Sequence, residues 1–350
     1  MFGKQENLVG LDVGSHSAKM VQVSAKNAGL KLLNLGIIPL PKEAFAEGRV
    51  NKFELIAKSV QQLASHLKIK DKLVAAAISG YDVMIKKIEL PTMGEEELQN
   101  RMQMELGQYI PYNVEEVDVD YQILDVAKDR PGSMEVLLVA SKKESISDYV
   151  GIIRLAGFEP AVVDVDFFAL SNAYEASYGL SDDSVALVDI GASKSIMNIV
   201  SRGIPLFTRG ISIGGIQITD RISDQFKVSQ DEAERIKLNE IPSNISPQQV
   251  GDVFVSVVRN WVAEFKRAVD FYYSNFPDKQ IKRVYVSGGS CRIPGLDKVF
   301  EETINAKVEV FNPLARLEYD SKTFDSAYID YIGPQMAISL GLALRKTKEK

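Results

Sequence analysis

One turn is written twice in this chain, and that repetition limits what it can fold into more than any other feature. Residues 10–23 read "GLDVGSHSAKMVQV" and residues 185–200 read "VALVDIGASKSIMNIV". Displaced by 177 positions, Asp189 falls on Asp12, Ile190 on Val13, Gly191 on Gly14, Met197 on Met20 and Val200 on Val23. Both copies run apolar strand, Asp-x-Gly, small polar residues, second apolar strand. A third strand-like stretch follows each, "LKLLNLGIIPLP" in one and "IPLFTRGISIGG" in the other. At 350 residues the chain is too long for one ordinary core. Two halves that open with a similar three-strand meander predict a duplicated α/β domain.

Each residue type in the turn has a physical reason to be there. Glycine permits positive φ and lets backbone amides approach a ligand that a Cβ would hold off. Consecutive amides in such a turn form a concave anion site. Ser15, Ser17, Ser193 and Ser195 add hydroxyl donors, and Lys19 adds a charge. Asp12 and Asp189 would repel a phosphate directly, so they fit a hydrated Mg²⁺ held between carboxylates and phosphate. Two such turns facing across a cleft would clamp a nucleotide's phosphate tail. Asp-x-Gly is also common hairpin chemistry, and either copy alone reads that way. The matched pair with matched flanks favours the phosphate site.

Two weaker signals follow. In "RVYVSGGSCRIPGL", Gly288 and Gly289 end a buried-type strand, where a ligand or helix terminus can approach closely; alone, Gly-Gly after a strand is usually a turn. In "SQDEAERIK", Glu234 and Lys237 lie three apart on one helical face, which without context reads as a solvated ion pair.

Composition removes several classes. With 41 basic and 47 acidic residues the net charge is −6, which gives no electrostatic reason to expect nucleic acid. The single cysteine, Cys291, excludes an intrachain disulfide and points to a reducing compartment. His16 and His66 are far apart in sequence and have no cysteine partners, which argues against zinc. "MFGKQEN" has no apolar core of signal-peptide length, and no apolar run approaches a membrane span. A cytoplasmic protein is expected, with membrane contact only through partners. Trp261, in the aromatic-rich "VVRNWVAEFKRAVDFYY", reads as a core residue.

In their order, these segments resemble the superfamily of actin, heat-shock chaperones and sugar kinases. "GLDVGSHSAKMVQV" is similar to its first phosphate motif, "ALVDIGASKSIMNIV" to its second and "VYVSGGSCRIPGL" to its adenosine motif. "GISIGGIQITDRISDQFKVSQDEAERIK" is similar to FtsA-type proteins. "IKKIELPTMGEEELQNRMQMELGQYIPYNVEEVDVDYQILD" and "GFEPAVVDVDFFALSNAYE" resemble the PilM family of type IV pilus assembly proteins. The resemblance covers nearly the whole chain. It implies an actin-like (ribonuclease H-like, duplicated) α/β fold, two halves around a nucleotide cleft, with an FtsA-type inserted small domain. It also implies ATP or ADP with Mg²⁺: Asp12 and Asp189 holding the metal through water, and Gly14, Ser15, His16 and Ser17 together with Gly191, Ala192, Ser193, Lys194 and Ser195 at the phosphates, Lys19 nearby. Gly214, Gly215, Glu234 and Lys237 would lie beside the ribose and base, with Gly288, Gly289 and Ser290 capping the adenosine. The partner it implies is the cytoplasmic amino-terminal tail of PilN, docked between the first subdomain and the insert. Other pilus platform proteins, the assembly ATPases and self-association complete the expected contacts, and the location is peripheral to the inner membrane through those partners. The segment "GPQMAISLGLALR" resembles the closing helix of the fold.

The organisation expected is a first actin-like subdomain at 1–82 plus 156–183, an inserted interaction subdomain at 83–155, a second actin-like subdomain at 184–218 plus 283–350, and a small helical lobe at 219–282. "KFELIAKSVQQLASHL" reads as a covering helix. The insert reads as helix ("MGEEELQNRMQMELGQYI"), two strands ("VDVDYQILDV" and "SMEVLLVAS") joined by the loop "AKDRPGS", and helix ("SISDYVGIIRLAGF"). Leu98, Met102 and Leu106, with Met104 and Tyr109 nearby, form a stripe that suits either a docking groove or packing on the insert's own strands. "KTKEK" reads as a frayed tail.

Three functions fit this fold: a nucleotide-binding pilus assembly scaffold, an FtsA-like filament-forming division protein, or a small-molecule kinase. The kinase reading needs a substrate base, for which Asp164 and Asp166 are candidates, although a carboxylate there equally suits a helix cap. The final helical segment lacks the aromatic anchors and broad basic face of an interfacial helix, which counts against FtsA itself. With no clear acid–base pair at the substrate side, at most slow ATP turnover is expected.

Overall fold

The computed structural model describes residues 8–26, 29–46, 49–79, 83–126 and 132–347. The leading "MFGKQEN", most of the loop "AKDRPGS" and the end of "KTKEK" lie outside these residues. The first half opens with β1 (Val9–Val13), β2 (Ser17–Lys26) and β3 (Gly29–Pro39), then a small hairpin of β4 (Phe45–Ala46) and β5 (Arg49–Val50), α1 (Phe53–His66) and β6 (Leu73–Ile78). An inserted unit follows, comprising β7 (Val83–Pro91), α2 (Glu95–Tyr109), β8 (Val117–Val126) and β9 (Ser133–Lys142). The chain returns through α3 (Lys143–Leu155), β10 (Glu159–Val165) and α4 (Asp166–Tyr178). The second half has β11 (Ser184–Ile190), β12 (Ser195–Ser201), β13 (Ile204–Ile211), α5 (Ile216–Phe226), α6 (Gln230–Lys237), α7 (Pro247–Asn275), β14 (Ile281–Ser287), α8 (Leu296–Ile304), β15 (Lys307–Val310), α9 (Ser326–Ile332) and α10 (Ala337–Ala343).

The duplication is structural as well as sequential. One five-stranded sheet has the order β3-β2-β1-β6-β10 and the other β13-β12-β11-β14-β15, each an antiparallel meander continued by two parallel strands. The registers coincide: Asp12 pairs with Lys19 and Val13 with Ala18, as Asp189 pairs with Ile196 and Ile190 with Ser195. Because side chains alternate along a strand, the same displacement also preserves which face is buried. Val9, Leu11 and Val13 pack under α1 and α3, while Ala186, Val188 and Ile190 pack under α5, α7 and α8. Between the two sheets lie α4 and α10, in a shared core with Val21, Val23, Leu187 and Val200. The layers therefore run helix, sheet, helix pair, sheet, helix.

Local sequence explains several boundaries. Ser246 and Gln249 make a reciprocal capping box at the start of α7, with Pro247 just inside it. Trp261 is buried on α7 and its indole N–H donates to Gln217 Oε1 at 2.5 Å. Helix α10 is buried along its whole length, and its glycine and serine backbone lies directly against β1 and α4.

Two sequence expectations change, and one reading left open is decided. The insert carries a third strand, β7, which pairs antiparallel with the central β9 and gives the order β7-β9-β8. The helix α3, read as part of the insert, instead buries Ile152 and Ile153 in the core of the first sheet with α1 and β6. The stripe on α2 is not a free face: Leu98 and Met102 are buried against β7, β8 and β9, with Leu106 and Tyr109 packed beside them, and Met104 alone is exposed. Asp166 is the first residue of α4, whose N-cap, Val165, makes no side-chain cap bond, and Asp164 lies inside β10. Its Oδ1 accepts from the Val165 amide at 2.8 Å and its Oδ2 faces Arg345 Nε at 3.4 Å.

Candidate functional site

The strand ends of both sheets open onto one cleft of about 850 Å³. Each copy of the duplicated turn closes with the same bond: the Gly14 amide donates to Ser17 O at 3.1 Å, and the Gly191 amide to Lys194 O at 3.1 Å. The turns face each other, and the Ser193 hydroxyl donates to Ser15 Oγ at 2.7 Å across the gap. Asp12 and Asp189 stand at the base of this pair. Lys19, opposite Asp12 in the β1–β2 register, donates to Asp12 Oδ2 at 2.8 Å. The Ser287 hydroxyl donates to Asp189 Oδ2 at 2.9 Å.

Electrostatics at the base are strongly perturbed. Burial alone would lower the Lys19 ammonium, but the Asp12 carboxylate and then Asp189 hold it above its ordinary value. Burial pushes the Asp189 carboxyl up to about 6, against Lys19 and the Ser287 hydrogen bond and with Asp12 adding to the rise. An acid whose pKa is raised in the folded state favours folding while protonated. Its contribution is complete below the ordinary carboxylate value and is lost as pH rises through about 6. In metal-free buffer, wild-type stability relative to Asp189→Asn is therefore expected to fall by roughly 2 kcal/mol between pH 4 and pH 8. Urea denaturation at several pH values reads this directly, and a difference independent of pH would oppose it.

Glycines build the remaining wall. Gly288 has φ +87°, and a Cβ there would lie 2.5 Å from Ile190 O, so the β14 turn can press against the second copy of the duplicated turn only without a side chain. Ser290 fixes that contact, its amide donating to Ile190 O at 3.0 Å and its hydroxyl to Gly191 O at 3.1 Å. Gly289 is exposed to the cleft, with nothing nearer its notional Cβ than Gln335 Oε1 at 3.8 Å. Glu234 and Lys237 are not a solvated pair. Lys237 donates to Glu234 at 2.6 Å, Thr219 Oγ1 donates to Glu234 at 2.7 Å, and Lys237 also reaches Gly215 O at 3.3 Å. Burial opposes ionisation of Glu234, yet these bonds from Lys237 and Thr219 hold its carboxyl below the usual range. His16 sits at the mouth with its ring reaching solvent; partial burial and then Lys237, Lys19 and Lys42 lower its imidazole, with Glu234 opposing them.

Of the expected residues, Asp12, Gly14, Ser15, His16, Ser17, Lys19, Asp189, Gly191, Ala192, Ser193, Lys194, Gly215, Glu234, Lys237, Gly288, Gly289 and Ser290 border this cleft. Two do not. Ser195 is buried on β12 and donates to Ile213 O at 2.9 Å; its counterpart in the first half is the core residue Ala18. Gly214 packs behind the second turn, where a Cβ would meet Ala192 O at 2.4 Å. The sequence reading missed Thr219, one helical turn beyond Gly215, and the outer wall made by Phe45, Arg49, Val50, Tyr112 and Tyr149. Cys291 also borders the cleft; burial pushes its thiol up to about 12, so it is an inert wall residue.

The donor set fits hydrated magnesium. It offers two carboxylates flanked by hydroxyls and turn amides, and no group of three or more metal-ligating side chains exists among the described residues. Magnesium is held in just this manner, by one or two carboxylates, water and substrate phosphate, rather than in an all-protein cage.

Comparison with known proteins agrees with this fold. Cell division protein FtsA of Bacillus subtilis (strain 168) is 24% identical over 273 residues, which is 67% of this chain and 58% of FtsA, so the chain spans under two thirds of that relative. The structure of MreB 5 of Spiroplasma citri bound to AMPPNP superposes with a TM-score of 0.53 at 12% identity, covering 94% of this chain and 98% of that one, and shares the actin-like fold. The PilM-PilN type IV pilus biogenesis complex matches with a TM-score of 0.86 at 26% identity over 99% of this chain and 100% of that one. A profile of type IV pilus assembly protein PilM matches residues 10–347. With a duplicated actin-like core and an inserted three-stranded unit, this chain belongs to the PilM family of type IV pilus assembly proteins.

Proposed function

We propose that the cleft binds ATP or ADP with Mg²⁺, and that the chain serves the pilus assembly platform at the inner membrane by holding the cytoplasmic tail of PilN. The observation that carries the nucleotide reading is the Ser15–Ser193 bond of 2.7 Å, which sets two phosphate-type turns face to face above Asp12 and Asp189. Asp12 and Asp189 would hold the metal through water, the amides and hydroxyls of residues 14–17 and 191–193 would take phosphate oxygens, and Lys19 would supply charge at their base. When bound, magnesium neutralises phosphate charge. Glu234, Lys237 and residues 288–290 would border the sugar and base. Of the two candidate substrate bases, Asp166 borders the cleft and Asp164 is buried in β10, so they do not face a substrate as a pair; the role proposed is a switch, in which bound nucleotide would bias closure only through unequal affinity for open and closed forms.

The tail reading rests on the outer cleft. No helix among the described residues is long and apolar enough to cross a membrane. Since the α2 stripe is buried, the docking wall proposed is Tyr112 of the insert, with Tyr149 on α3 and Phe45 and Val50 of the β4–β5 hairpin along the same cleft. A labelled peptide of the PilN tail is expected to bind the intact protein, and Tyr112→Ala to weaken it roughly tenfold, as truncated aromatic anchors do. Fluorescence anisotropy reads both. Binding unchanged by Tyr112→Ala would move the groove elsewhere, and no binding at all would favour FtsA-like self-assembly.

A further inference from the structure

The β4–β5 hairpin belongs to none of the motifs that line the phosphate site, yet Phe45, Arg49 and Val50 all border the same cleft as Asp12, Gly14 and Asp189. Its roots are fixed to the site. At the end of β3, the Leu40 amide donates to His16 O at 2.8 Å, which ties the chain to the first turn. Ala44 is fully buried, and its carbonyl accepts from the Asn51 and Lys52 amides at 2.9 and 3.2 Å, which closes the hairpin's base. Lys42 pairs with Asp231 on α6, across the mouth from the other half. Arg49 therefore reaches the cleft from the first half, as Asp12 and Gly14 do, whereas Gly289, Ser290 and Glu234 border it from the second half.

The cations around it are mostly engaged: Lys19 with Asp12, Lys237 with Glu234, and Arg292 with the Asp330 carbonyl. Among the described residues the Arg49 side chain has no hydrogen bond or ion pair, although it lines a cleft bordered by several carboxylates. A guanidinium presents a planar fork of donors that matches two phosphate oxygens at once. We infer that Arg49 contacts the terminal phosphate of a nucleoside triphosphate held between the duplicated turns, and that this contact makes the cleft distinguish triphosphate from diphosphate. The inference rests on the nucleotide reading above. Lys142, the last residue of β9, is the other cleft cation whose side chain has no bond among the described residues, and it serves as the control.

The test is calorimetric titration of ATP and of ADP, each with Mg²⁺, into wild type, Arg49→Gln, Arg49→Lys and Lys142→Gln. Arg49→Gln is expected to lose about tenfold or more in ATP affinity while ADP affinity stays within about twofold, the loss typical of one charged hydrogen-bonding partner. Arg49→Lys should recover part of that loss as a point charge, and Lys142→Gln should leave the ATP-to-ADP ratio unchanged. Equal losses for both nucleotides, no loss, or a ratio moved by Lys142→Gln instead would overturn the role of Arg49 while leaving the nucleotide site standing. A wild-type protein that binds neither nucleotide would overturn the site itself.

Discussion

Gly341→Ala is expected to leave little folded protein. A Cβ at residue 341 would lie 1.7 Å from Ala169 O and 2.5 Å from the Ala169 carbonyl carbon, both main-chain atoms of α4. No rotamer relieves such a contact, because the clash is with backbone and involves Cβ itself. Only separation of α10 from α4 does so. That separation is resisted from the other side, where Gly10 on β1 meets the same helix so closely that its own Cβ would fall 2.0 Å from Ser339 O. The helix is thus wedged between strand and helix, and its burial joins both sheets in one core. Overpacking a core typically costs 1–3 kcal/mol, and a main-chain clash held from two sides belongs at the extreme of point-mutant effects, about 4 kcal/mol or more. Against a total stability on the order of 5–15 kcal/mol, that removes much of the margin. Urea denaturation gives the answer, and a midpoint near that of wild type would show that α10 can shift freely.

Gly289→Val is expected to abolish nucleotide binding while the protein stays folded. The two adjacent glycines of this loop do different things. Gly288 adopts a left-handed conformation against Ile190 O, so a side chain there disturbs the fold. Gly289 has an ordinary φ, is exposed, and finds open space for a Cβ. A valine at 289 therefore projects into the cleft, into the volume assigned to the adenosine, and exposed substitutions of this kind usually change stability by about 0.5 kcal/mol. Calorimetry with ATP, alongside the melting temperature, separates the two effects. Retained ATP affinity would move the adenosine elsewhere in the cleft, and a large drop in melting temperature would show that Gly289 is structural.

What could be read from sequence follows from what each residue must satisfy locally. The duplicated turns were legible because an amide-lined turn requires glycine at a fixed offset from the strand, and the requirement appears twice with the same flanks. Ser195 shows the limit of that reading: it follows Ser193 by two, but it lies in a strand at a position whose twin is Ala18, and strand register sends its hydroxyl to Ile213 O in the core. The α2 stripe had the right period for a groove as well as for a core, and only the presence of β7 beneath it decides between them. Phe45, Arg49 and Tyr112 carry no periodic or motif signal. They reach the cleft because β3 and β6 both end at the same rim, which is a property of the topology and not of any short segment.

The central claim is that the paired turns hold a metal–nucleotide complex. It is tested most directly by calorimetric titration of ATP into the wild-type protein, with Mg²⁺ and then with the metal chelated. The account predicts one saturable site whose affinity falls at least about tenfold without Mg²⁺, because Asp12 and Asp189 then face the phosphates with no cation between them. Equal affinity in the two conditions, or no binding in either, would contradict it.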